Sequence, residues 1–210
     1  MAPDNPSTTS SNPAGSKPVS VLFVCLGNIC RSPMAEAIFR HQITSTAAAT
    51  APSAPKFSTI DSAGTGAYHV NSQPDPRTMS TLRDHGITSY THAARKIRRD
   101  DFFAFDYILA MDGDNLDDLM HERGRAVGRG KGGKGGKGDG DGDGDGHVAQ
   151  VRLMGDFLPD GSVVEKVGGG EEVGDPYYGG KEGFEVVYRQ LVRLSGGFMK
   201  FLERQGDVEN

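Results

Sequence analysis

The chain has 210 residues, 36% of them apolar and 8% aromatic, with a formal net charge of −5. That length suits one domain with a sizeable core, the negative balance gives no general attraction to nucleic acid or anionic membranes, and no apolar run is long enough to span a bilayer. Two cysteines are too few for a disulfide framework or, alone, a structural zinc site. Residues 1–18, rich in Ser, Pro and Asn, read as a disordered leader. The leader has neither the apolar stretch of a secretory signal nor the Arg-rich pattern of a mitochondrial one, so a cytoplasmic location is expected. One domain is expected over residues 19–205, with a short tail at 206–210.

Val19–Val24 is a β-branched apolar run, predicted to be a strand buried on both faces. Ser32 followed by Pro33 is a helix-start signal, and Met34–Ile43 continues as a helix with Ile38 and Phe39 inward. Thr44–Pro55 reads as a loop and Phe57–Ser62 as a second strand. Asp75–His85 reads as a helix opened by Pro76 and stopped by Gly86. Phe105–Met111 is a third buried strand, followed by a helix over Asp112–Glu122. Val148–Met154 is a fourth strand. Lys181–Arg204 carries Phe184, Val187, Leu191, Leu194, Phe198 and Phe201 at helical spacing, with a kink expected at Gly196-Gly197. Strands alternating with helices indicate a three-layer α/β fold, a four-stranded parallel sheet flanked by helices, with function at the strands' C-terminal ends.

Of the 30 glycines, 12 fall between Gly124 and Gly146, which reads as a flexible low-complexity surface insertion. Gly128-x4-Gly133-Lys134 has the outline of a nucleotide-binding loop, but Gly135 stands where Ser or Thr is needed and no strand precedes it. Asp139–Gly144 starts like a calcium loop, yet its twelfth position is Gln150 rather than Glu. The six histidines show no metal-ligand spacing, so no metal and no cofactor are expected.

The chemistry points to Cys25-x5-Arg31-Ser32, set between the first strand and the first helix. Five residues let the backbone curl into a phosphate-binding loop whose N–H groups and helix terminus face a tetrahedral dianion. The loop residues are Leu26, Gly27, Asn28, Ile29, Cys30 and Arg31, with Gly27 and Asn28 suited to unusual dihedrals. Arg31 offers a bidentate fork to two phosphate oxygens. Cys25, in the same positive field, is expected to sit largely as thiolate. Far along the chain, Asp175-Pro-Tyr-Tyr-Gly179 offers a carboxylate that could act as acid and then base. The same residues also fit a plain turn with two exposed tyrosines, and spacing alone does not choose.

Val24–Glu36 resembles the signature of the low-molecular-weight protein tyrosine phosphatases. So do Ile60–Gly64, Pro74–Arg77, Asp84–Ile87, His92–Ile97, Phe105–Leu109, Met111-Asp112 and Asp175–Gly179, in order over nearly all of residues 19–203. The resemblance implies a metal-independent phosphatase of tyrosine-phosphorylated proteins and small aryl phosphates, a monomer or weak homodimer. It implies that Cys25 is the nucleophile, that Arg31 and the loop backbone bind the phosphoryl group, and that Asp175 is the acid–base. Ser32 would support the Cys25 sulfur as a leaving group, and Asn28 would hold the loop in shape with His92 and Ser62. Cys30 would be a redox partner of the nucleophile, and Leu26, Tyr68 and Tyr177 would wall the substrate pocket. Ile29 is apolar where arginine-phosphate-specific relatives carry Thr, which favours phosphotyrosine. An arsenate reductase of the same fold needs a relay of further thiols, and the chain has only Cys25 and Cys30. An inactive phosphate-binding module would not need the complete Cys25, Arg31, Ser32 and Asp175 set.

Overall fold

A computed structural model describes residues 17–45, 54–128 and 146–208. In chain order the elements are β1 (Val19–Cys25), α1 (Arg31–Ser45), β2 (Phe57–Gly64), α2 (Pro76–Asp84), α3 (Asp101–Ala104), β3 (Tyr107–Ala110), α4 (Gly113–Gly128), β4 (Gln150–Leu153) and α5 (Lys181–Val208). The sheet has the order β2-β1-β3-β4, and every pairing is parallel. β1 is therefore internal, which suits its unbroken apolar run. Strand alternation divides its side chains between two layers. Val21, Phe23 and Cys25 join Phe39 of α1, Leu82 of α2 and Leu191 and Phe198 of α5. Leu22 and Val24 pack on the opposite face with Phe102 of α3 and Leu116 and Leu119 of α4. The first layer is stitched by aromatic edges, with Phe39 against Phe23 at 5.5 Å and against Phe57 at 5.2 Å.

Chain order reverses beside β1, whose neighbours β2 and β3 are reached by connections on opposite sides. A crevice opens there at the strands' C-terminal ends, where Cys25 ends β1. Asp75 caps α2, its side chain accepting the Arg77 N–H, with Pro76 at the first helical position. Gly86, just past that helix, has φ +81°, the left-handed stop that its sequence position anticipates.

Several boundaries differ from the sequence reading. Helix α1 begins at Arg31 rather than after Ser32, because the Cys30 carbonyl already accepts the Met34 N–H. Ser32 is thus inside the first turn, its hydroxyl free for another task. Gly124–Gly128, assigned to the insertion by composition, is the last turn of α4. That turn is secured where Ala126 is buried and its carbonyl accepts from Arg99 Nη2 at 3.1 Å. The remainder of the insertion, residues 129–145, lies outside the described residues, as do residues 1–16 of the leader and most of the loop after α1. Helix α5 is one element to Val208, so the expected tail at 206 begins as helix. Gly196-Gly197 does not end it. Gly197 instead admits the carbonyls of Phe157 and Leu158, each 2.7 Å from where a Cβ would sit. α3 is a single turn that sequence periodicity did not reveal. Among the described residues no helix is long and apolar enough to cross a membrane.

Candidate active site

The loop Leu26–Cys30 joins β1 to α1 and is pinned by its carbonyls. Cys25 O accepts from Thr65 N and Leu26 O from Gly66 N, both at 2.9 Å, while Ile29 O accepts from Asp75 N at 2.8 Å and Cys30 O from Met34 N at 3.3 Å. In a trans peptide the next N–H points away from the carbonyl. Holding these four carbonyls outward therefore turns the amides of Leu26, Gly27, Cys30 and Arg31 toward the loop's inner side. Asn28 supplies the bend, with φ +55°. Gly27 has another purpose than the one expected from its dihedral freedom. A Cβ there would lie 3.0 Å from the His69 ring, so glycine lets that imidazole approach.

A buried polar network surrounds Cys25. The Arg95 backbone N–H donates to Asn28 Oδ1 at 2.8 Å, which fixes the amide's orientation. Asn28 Nδ2 must then donate, to Ser32 Oγ and Ser62 Oγ, both at 3.0 Å. Ser32 Oγ, already an acceptor, has its proton available for Cys25 Sγ at 3.1 Å or the Ala63 carbonyl at 3.3 Å. The Asn28 backbone N–H also donates to Cys25 Sγ at 3.3 Å. His92 Nε2 lies 2.9 Å from Asn28 Oδ1 and is its second donor. Burial is the largest influence on His92 and holds it below the usual imidazole range, against the pull of Glu36 and Asp61. The Ser62 hydroxyl donates a hydrogen bond to Glu36 Oε2 at 2.8 Å, where the Tyr90 hydroxyl also donates at 2.8 Å. Asn28, Ser62 and His92 thus come together as the sequence suggested. Glu36, Tyr90 and Arg95 were not assigned roles in advance.

Arg31 is 3% exposed and crosses to the other side of the crevice. Nη1 donates to Asp112 and to the Val173 carbonyl at 3.1 Å, and Nη2 donates to Asp175 Oδ2 at 3.2 Å. Burial opposes its charge, but Cys25, Asp112 and Asp175 more than offset it and hold the guanidinium above its ordinary range. Asp112 lies two residues past the end of β3, at the C-terminal end of the sheet. An acidic residue just after a buried central strand is the signal that could have singled it out. Asp175 is half exposed, and its Oδ1 accepts the Tyr177 N–H at 3.0 Å.

Cys25, Arg31 and Asp175 line one pocket of ≈ 360 Å³, with Leu26, Gly27, Ile29, Cys30, Tyr68 and Tyr177. His69 and Tyr178 also line it and were not anticipated. Tyr68 is 77% exposed and Leu26 and Tyr177 are partly so, which makes them rim rather than floor. Both cysteines are free. Burial first, then the negative charges of Asp75, Cys25 and Asp175, push the Cys30 thiol up to about 12. Cys30 therefore stays protonated beside the nucleophile. Among the described residues, Glu36, Asp61 and His92 place potential metal-ligand atoms within 4.8 Å of one another. Those atoms are already engaged, Glu36 by Arg40, Tyr90 and Ser62 and Asp61 by Arg95, so the cluster reads as scaffold.

Comparison with known proteins agrees with this geometry. Residues 20–131 match the family model described as low molecular weight phosphotyrosine protein phosphatase. A protein of that name from Schizosaccharomyces pombe is 44% identical over 184 residues, covering 88% of this chain and 97% of its own length. One from Sus scrofa is 39% identical, covering 86% and 94%. Among solved structures, a protein tyrosine phosphatase of Entamoeba histolytica superposes with a TM-score of 0.64 at 31% identity, covering 89% and 98%. An arginine phosphatase of Drosophila gives 0.63 at 29%, covering 87% and 97%. With a matched family model, relatives above 30% identity over most of the chain, and a cysteine lining the pocket at the end of β1, this chain belongs to the low molecular weight phosphotyrosine protein phosphatase family and is a cysteine-based protein tyrosine phosphatase.

Proposed function

We propose that the chain hydrolyses phosphotyrosine in proteins and small aryl phosphates through a cysteinyl-phosphate intermediate, with Cys25, Arg31 and Asp175 carrying the reaction. The observation that carries this reading is the convergence of these three side chains on one pocket, with Asp175 bonded to the Arg31 guanidinium.

In the first transfer Cys25 Sγ attacks phosphorus as the P–O bond to the aryl group breaks. Asp175 gives its proton to the departing phenolate oxygen. Arg31 and the inward amides meet the charge spread over the three equatorial oxygens, an electrostatic role that often dominates phosphoryl transfer. In the second transfer water attacks the same phosphorus and Asp175 takes the water's proton. The P–S bond breaks and the electron pair returns to Cys25. Ser32 Oγ and the Asn28 N–H, both aimed at that sulfur, stabilise the returning charge. Arg31 and the amides supply the positive field that a metal would otherwise provide.

The apolar Ile29, with Leu26, Tyr68 and Tyr177 around it, supports an aromatic leaving group. Cys30, on the same loop as Cys25, is the thiol that would close a disulfide onto Cys25 once Cys25 is oxidised to the sulfenic acid, releasing water after giving up its own proton.

The test is Cys25→Ser. The variant is expected to lose hydrolysis of p-nitrophenyl phosphate to background while still binding inorganic phosphate by calorimetry. Retained turnover would overturn the assignment of the nucleophile.

A further inference from the structure

The Pro74–Arg77 motif has no part in the chemistry above, yet Arg77 stands where two walls of the pocket meet. Its Nε and Nη2 grip the two oxygens of Asp75 at 3.0 and 2.8 Å. The Asp75 backbone N–H in turn donates to the Ile29 carbonyl of the phosphate loop at 2.8 Å. On its other edge Arg77 Nη1 donates to the carbonyls of Tyr177 and Gly179, both at 3.0 Å, in the turn that follows Asp175. The guanidinium lies over the Phe184 ring at 4.5 Å and near that of Tyr177 at 5.6 Å. Asp175 accepts the N–H of that same Tyr177. Four hydrogen bonds from one planar fork therefore join two segments about a hundred residues apart in sequence.

An exposed ion pair contributes little by itself. A fork shared between two walls of a site does something else, because it fixes the distance between them. Lysine could satisfy one wall but lacks the rigid geometry to satisfy both.

We propose that Arg77 is a positioning residue that holds the Asp175 turn in register with the phosphate loop, so that the carboxyl meets the leaving oxygen. The inference rests on Asp175 being the general acid. Arg77 touches none of the reacting groups and acts through the turn.

The experiment compares kcat/KM for phenyl phosphate, a poor leaving group, with that for p-nitrophenyl phosphate, a good one. It uses the wild type, Arg77→Ala, Arg77→Lys, Asp175→Asn and the Ala/Asn double variant. Acid assistance matters most where the leaving group is poor. Arg77→Ala is expected to lower the phenyl to p-nitrophenyl ratio about 10-fold and Arg77→Lys about 3-fold, while the double variant falls no lower than Asp175→Asn alone. The ratio is independent of the folded fraction, so a purely structural role leaves it unchanged. Should Arg77→Ala fail to fold, the lysine variant carries the same comparison. An unchanged ratio in the Arg77 variants, with a collapsed ratio in Asp175→Asn, overturns the role of Arg77 alone. Full additivity in the double variant does the same. An unchanged ratio in Asp175→Asn overturns the acid assignment and, with it, the positioning role.

Discussion

In the nucleophile loop Asn28 alone takes part in five hydrogen bonds, and the residues it reaches are themselves bonded inward to Glu36 and Tyr90. Across the pocket Asp175 sits on a half-exposed turn with one bond to its own turn and one to Arg31. The contrast follows from what each side handles. A dianion held by dipoles and one guanidinium needs donors that do not reorganise as charge moves, and burial in a satisfied network provides that. A group that protonates a departing phenol and then receives water must face solvent. Its placement then comes from outside, through the Arg77 fork.

The largest effect expected on the buried side comes from Arg31→Lys. One fork and its anchoring to Asp112 and Val173 are lost together, and kcat/KM for p-nitrophenyl phosphate is expected to fall about 10³-fold in steady-state assays. A drop of only a few fold would break the contrast, since it would mean a point charge suffices.

Next is Asn28→Ala, which strips partners from Ser32, Ser62 and Arg95 and places alanine in the left-handed region. A loss of about 3 kcal/mol is expected by urea denaturation, together with lower turnover. Asn28→Gly loses the same side-chain bonds without the backbone strain and is expected to recover about 1 kcal/mol of that loss. Equal stability of the two variants would show that the network carries nearly all of the cost and the dihedral little.

The smallest effect separates the two sides by pH. Burial holds His92 below its unfolded value, so the folded state binds fewer protons there. That contribution is present above about pH 6.5 and is lost as pH falls through the folded value. Asp75 is held low chiefly by its hydrogen bond to Arg77, against the effect of burial. Its contribution is present above about pH 4 and is lost as pH falls further. Urea midpoints of His92→Asn and Asp75→Asn are expected to converge on the wild type in these two separate windows. Convergence in a single window would mean that the two sides are one electrostatic unit.

The same contrast explains what could be read from the residues. β1, the phosphate loop and α1 are legible because a β-branched run, a five-residue spacing and a helix start lie side by side. The start itself is displaced to Arg31, since the Ser32 hydroxyl is engaged with Cys25 and Asn28 rather than with a helix N–H. Asp175 was legible as a candidate only through its Asp-Pro-Tyr-Tyr setting. Asp112, Glu36 and Arg77 act through partners 26 to 102 residues distant, and no local period reports such pairings. α3 is one turn, too short for any periodicity, and the last turn of α4 is held by Arg99 despite its glycines.

The strand directions also decide where extra chain is harmless. Two connections, from Ser45 to Phe57 and from Gly128 to Gln150, run from a helix into the start of a parallel strand. The contacts at those entries, Val19 N with Lys56 O and Ala149 N with Phe102 O, mark the sheet's N-terminal edge. Cys25 and Asp112 lie at the other edge. Loop closure grows slowly with length, by roughly 0.6 kcal/mol for each doubling, so length added at the N-terminal edge stays away from Cys25 and Asp112 at small cost. The fold thus has one pole where a single atom's position matters and an opposite pole where chain length is nearly free.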